Sequence, residues 1–87
     1  MEFLLEAYSA DAAEAERGAA RMRDSATQIR LTGIEVHVLR TIFLPEEETS
    51  LVLLEAPSAD DARATVVEAG LSVDRIVVAV QTPGEGS

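Results

Sequence analysis

Hydrophobic and polar positions divide the chain into six blocks. Glu2–Tyr8 (EFLLEAY) is a short apolar run closed by Ser9-Ala10-Asp11, the pattern of a strand running into a helix cap. Ala12, Ala15, Ala19, Met22, Ala26 and Ile29 then recur at spacings of three and four, which places them on one stripe of a long helix. Glu14, Arg17, Arg21 and Gln28 fall on the opposite side. Asp11 with Glu14 has the form of a capping box, Ser9 is the alternative cap, and Gly33 marks the stop. Small alanines on the stripe predict a helix lying close on whatever it covers. Residues 34–44, rich in β-branched side chains, predict a second strand. Pro45-Glu46-Glu47-Glu48 predicts a turn with an acidic tip, and 49–56 a third strand. Ser58 with Asp61 repeats the capping pattern, and Ala59, Ala62, Val66 and Ala69 stripe a shorter helix that Gly70 ends. Residues 73–80 predict a fourth strand. Residues 1–80 thus form a single domain, and 81–87, with Pro83, Gly84, Gly86 and Ser87, read as a flexible C-terminal tail.

The blocks repeat. From Leu4 to Ala15 against Leu53 to Ala64, nine of twelve positions are identical at an offset of 49. Gly33-Ile34-Glu35-Val36 matches Gly70-Leu71-Ser72-Val73 at an offset of 37, so the first helical segment is longer by twelve residues. Each half is a strand–helix–strand unit, and two such units make the split βαβ arrangement. The expected fold is α+β: a ferredoxin-like βαββαβ sandwich with a four-stranded antiparallel sheet and two helices on one face.

Strand side chains alternate between faces. Phe3, Leu5 and Ala7 share one face, and Leu4, Glu6 and Tyr8 the other; the repeat sets Val52, Leu54 and Ala56 against Leu51, Leu53 and Glu55. A turn at 45–48 pairs Leu44 with Thr49, which predicts Arg40 opposite Leu53 and Val38 opposite Glu55. Val36, Val38, Arg40 and Ile42 then join the face of Glu6, Tyr8 and Glu55, while His37, Leu39, Thr41 and Phe43 lie under the helices. The face without helices carries Leu4, Val38, Ile42, Leu51, Leu53 and alternate residues of 77–80. An antiparallel sheet with one face in water is polar on that face, so this apolar one predicts a partner. The simplest partner is a second copy related by a twofold axis, giving a homodimeric α/β barrel whose interior can hold a ligand. Glu6, Tyr8, Arg40 and Glu55 sit within that apolar setting and are the candidate ligand-binding residues. A buried carboxylate pairs or protonates. One reading is a structural ion pair of Arg40 with Glu6 or Glu55, with Tyr8 bonded to the backbone or a carboxylate. The other is a pocket whose carboxylates coordinate a cation or take a proton.

Composition narrows the chemistry. A chain of 87 residues buries only about 60–65% of its unfolded surface, which favours covering leftover apolar area with a second copy. Sixteen acids against seven arginines, with no lysine, give a net charge of −9 and argue against nucleic acid and anionic membranes. The all-arginine basic set suggests a GC-rich bacterial genome. No cysteine is present, so no disulfide framework, zinc knuckle or thiol nucleophile exists. The apolar runs fall far below the roughly 20 residues of a spanning helix, and the opening MEFLLEAY lacks a basic n-region; the expectation is a soluble cytoplasmic protein. His37 is the single histidine and sits in no HxH, HxxE or HExxH spacing, so a zinc or iron site within one chain is unsupported. Glu46, Glu47 and Glu48 read as a solvated hairpin tip rather than a cation loop. Ser9 and Ser58 read as caps, since no GxSxG is present. Arg17, Arg21, Arg23 and Arg30 read as solvating charge. No catalytic residue is assigned.

The segments FLLEAY at 3–8, VHVLRTIFLPEEET at 36–49, LLEAPSADDAR at 53–63 and AGLSVDRIVVAV at 69–80 together resemble the small bacterial (actinobacterial) nickel-binding-protein-like family of ferredoxin-like domains. The resemblance implies a dimeric α/β fold and, in one branch, a bound divalent metal, nickel. Glu6 and Tyr8 match a branch with Glu-x-Tyr on strand one, whereas the second helix, 61–69, has none of the histidines that metal-binding relatives carry there. Three functional readings stand together. One is a homodimeric binding module with a cation or small ligand between the sheets. Another is a cofactor-free enzyme, monooxygenase-like or isomerase-like, on the same scaffold. The last is a structural dimer with a packed interior.

Overall fold

The computed structural model describes residues 1–82. Strand β1 (Glu2–Tyr8) leads into helix α1 (Ala12–Arg30); β2 (His37–Leu44) and β3 (Thr49–Glu55) form a hairpin; helix α2 (Ala59–Ala69) precedes β4 (Arg75–Ala79). The two helices start with the same three letters, Ser-Ala-Asp, used in different registers. In the second half Ser58 is the N-cap, and its Oγ accepts from the Asp61 amide at 3.1 Å. In the first half the cap is Asp11, whose carboxylate accepts from the Glu14 amide at 2.8 Å, while Glu14 returns a bond to the Ala10 amide at 3.1 Å. Ser9, expected to be a cap, is not one. Its hydroxyl turns inward and meets Ser50 Oγ at 2.6 Å.

The helix ends also differ. Gly70 closes α2 in the left-handed conformation, φ 69°, which L side chains adopt only with strain. Helix α1 ends at Arg30 with Leu31 as its cap, and Gly33 takes its positive φ of 94° in the turn beyond. Arg30 Nη1 donates to the Val36 carbonyl at 2.7 Å and ties that turn to the approach of β2.

The sheet order is β2-β3-β1-β4, every neighbouring pair antiparallel. With both helices over one face, this is the ferredoxin-like sandwich that the repeat predicts. Phe3, Leu5, Val52 and Leu54 point from the sheet into the core and meet Met22 and Ala26 of α1 and Ala62 and Val66 of α2. The helices touch through small residues, where Ser25 Oγ donates to the Thr65 carbonyl at 2.6 Å. The fold is a slab of 37 × 34 × 18 Å, two layers thick, with one broad sheet face bare among the described residues.

One register departs from expectation. Arg40 does stand opposite Leu53, but Val38 stands opposite Leu54, not Glu55. A bulge between Val38 and Arg40 leaves Leu39 without a partner. One extra residue reverses the alternation of everything before it. Val36 and Val38 therefore fall on the helix side, Val36 fully buried, and His37 moves to the open face opposite Glu55.

Among the described residues no helix is long and apolar enough to cross a membrane. Of the expected tail, Gln81 is held to β1 by a 2.8 Å bond from Nε2 to Glu2 Oε1; 83–87 lie outside the described residues.

Candidate functional site

Strand pairing lays the open face out in rows, read across β2, β3, β1 and β4. The first row is His37, Glu55, Glu2 and Ala79; the next is Arg40, Leu53, Leu4 and Val77. Then come Ile42, Leu51, Glu6 and Arg75, and finally Leu44, Thr49 and Tyr8. The middle of the face is apolar, formed by Leu4, Leu51, Leu53, Ile42 and Val77. Charges and hydroxyls ring it. Among the described residues no helix or loop covers it, and Ile42 is 45% exposed.

The four candidate residues share this face but do not form one cluster. Glu6 and Arg40 are separated by two strand spacings, about 10 Å, and by a row. The partner of Glu6 is Arg75, Nε to Oε2 3.4 Å, not Arg40. Arg40 lies diagonal to Glu55, and neither joins an ion pair among the described residues. Tyr8 ends β1 at 59% exposure and is not enclosed. Arg75 escaped the sequence reading because its place depends on the register of β4 against β1, and no turn links those two strands. The available signal was its opposite charge to Glu6.

His37 arrives at the open face through the bulge. Its Nε2 lies 2.9 Å from Glu35 Oε2. No group of three or more histidine or carboxylate side chains among the described residues is placed to hold a metal. A divalent cation there would need donors from a second chain.

A concavity that strand alternation does not reveal lies on the other side of the sheet. A cleft of about 820 Å³ lies beneath the amino-terminal half of α1. Ala12, Ala15 and Ala19 line it from the helix, and Leu5, Ala7, Phe43, Ser50 and Val52 from the sheet. The expectation that alanines would bring helix and sheet into close contact holds only for the carboxyl half of α1, where Met22 and Ala26 join the core. Further toward its start the helix stands off the strands, and its small side chains cannot bridge the gap. A Cβ added at Gly18 would meet nothing within 4 Å. The visible signal was the run of small residues from Ala12 to Ala20, broken only by charged residues.

No family model matches the chain, and no curated protein matches it. Among solved structures, the crystal structure of SCO4226 from Streptomyces coelicolor A3(2) is similar to it, with a TM-score of 0.76. The match covers 95% of this chain and 100% of that one at 16% sequence identity. Likeness at that identity shows the ferredoxin-like fold, on which many unrelated activities are built.

Proposed function

We propose that this protein is a small cytoplasmic binding module of the actinobacterial, nickel-binding-protein-like kind, and that it works as a homodimer joined open face to open face. One observation carries the reading: the apolar centre formed by Leu4, Leu51, Leu53, Ile42 and Val77 has no cover among the described residues. An apolar middle with a polar rim is the anatomy of an interface between chains. Self-association opposes the net charge of −9 on each copy, so the dimer tightens as salt screens the repulsion. Glu6, Tyr8, Arg40 and Glu55, with His37 beside them, would border the enclosed space. A divalent cation bound there draws ligands from both copies.

Sedimentation velocity at micromolar concentration tests this reading. The wild-type chain is expected to sediment as a dimer, more tightly at higher ionic strength, and Leu53→Glu as a folded monomer. Native mass spectrometry with added nickel is expected to show a cation retained by the dimer and not by that variant. A dimer that retains no nickel, zinc or cobalt supports the purely structural dimer. A wild-type chain that stays monomeric under all of these conditions sinks the proposal.

A further inference from the structure

The cleft under α1 is formed by one chain alone and lies mainly on the helix side of the sheet; Ile42 and Leu51 of the proposed dimer face also border it. Its volume of about 820 Å³ falls in the range of small-molecule sites, roughly 300–1,000 Å³. The helix is placed by its carboxyl half: Met22 and Ala26 anchor it in the core and the Ser25–Thr65 bond fixes α1 to α2, while Asp11 caps the first turn over the cleft.

The lining specifies the guest. Floor and roof are apolar, from Leu5, Phe43 and Val52 below to Ala15 and Ala19 above. Set into the floor are the Thr41 hydroxyl and the Ser50–Ser9 hydroxyl pair at 2.6 Å, the pair being the more enclosed, with Ser9 only 5% exposed. Whichever hydroxyl donates to the other, the pair keeps one proton for a third atom. Charge at the margins cancels: Glu14, Glu16 and Asp74 stand with Arg17, Arg21 and Arg23. One of those acids, Glu14, is already occupied by the Ala10 amide. The cleft therefore offers no net charge to hold an ion, and the chain as a whole repels anions at a distance.

We propose that this cleft binds an uncharged, largely apolar small molecule bearing a hydrogen-bond acceptor, such as a carbonyl, which the Ser9–Ser50 pair receives. The probe is Prodan, an uncharged naphthalene ketone whose emission moves to the blue in apolar surroundings and back to the red when its carbonyl accepts a hydrogen bond. Titration of the full chain is expected to give a saturable blue shift with one site per chain. Ala15→Leu fills the space from the helix and Thr41→Leu from the sheet. Each keeps a residue suited to its element, and a thermal melt checks the fold independently. Each is expected to weaken Prodan binding about tenfold or more, the scale of one misplaced methylene in an apolar pocket. Leu53→Glu, on the far face, is expected to leave it unchanged. Ser9→Ala combined with Ser50→Ala should retain binding but move the emission further to the blue. The proposal fails if the wild-type chain gives no shift, or if Leu53→Glu abolishes binding while both folded cleft variants retain it. Tighter binding of anilinonaphthalene sulfonate, a charged relative of the probe, would also overturn it. None of these results depends on whether the chain dimerises.

Discussion

Leu53 and Leu54 follow one another in β3, and the repeat sets the same pair, Leu4 and Leu5, in β1. Leu54 has 0% exposure and belongs to a core with Phe3, Met22 and Val66, whereas Leu53 points from the other side of the sheet toward no other element among the described residues. Leu4 and Leu5 divide in the same way. Two sides of one sheet thus have nearly the same apolar character and different coverings. Apolar composition identifies surface that prefers to leave water. It does not identify what removes that surface from water: on one side two helices of the same chain, on the other, in our proposal, a second copy.

The largest expected effect separates those two sides. Leu54→Ala removes buried methyl groups from a filled core and is expected to cost about 2–5 kcal/mol in urea unfolding. Leu53→Ala, measured on dilute monomer, is expected to cost under about 1 kcal/mol, since surface substitutions away from packed groups do little. Its effect should grow with protein concentration as the dimer populates. Equal costs for the two leucines at high dilution would remove the distinction drawn between the faces.

A smaller effect compares the halves of the repeat. Ser58→Ala removes the cap of α2 and is expected to cost about 1 kcal/mol, with loss of hydrogen-exchange protection at the Asp61 amide. The equivalent change in the first half, Ser9→Ala, should leave protection of the Glu14 amide unchanged, because Asp11 is the acceptor there. Loss of Glu14 protection in Ser9→Ala would show that both halves cap alike.

The smallest effect concerns the charged rim. Glu6→Gln breaks the 3.4 Å pair with Arg75, whose side chain is 67% exposed. Solvent screens such a pair, so the expected cost in a thermal or urea melt is under about 1 kcal/mol. A cost of several kcal/mol would mean that Glu6 is far more enclosed than the free face allows.

Much of the fold was legible because its signals are local. Period-two runs bounded by turn residues located four strands, and β1 is Glu2–Tyr8 in both readings. The spacing of alanines and Met22 located α1, and Gly70 its counterpart's end. The duplicated LLEA-x-SAD segment joined these pieces into a ferredoxin-like order, because two similar strand–helix–strand units have few ways to share one sheet. The site was less legible. All four candidate residues do lie on the open face, since alternation is a property of the strand itself. Their pairings do not follow from it: Glu6 meets Arg75, and His37 replaces Val38 beside Glu55.

By itself, then, the order of residues determined the elements, the sides of the strands away from the bulge, and the apolar nature of both sheet faces, because each depends on spacings of a few residues along the backbone. Only the tertiary structure decided the bulge at Leu39, the partner of Glu6 and the empty space under α1. Each of these depends on how strands and helices far apart in the chain come to rest against one another. A one-residue slip in register or a few missing side-chain atoms changes that outcome and leaves the local pattern unaltered.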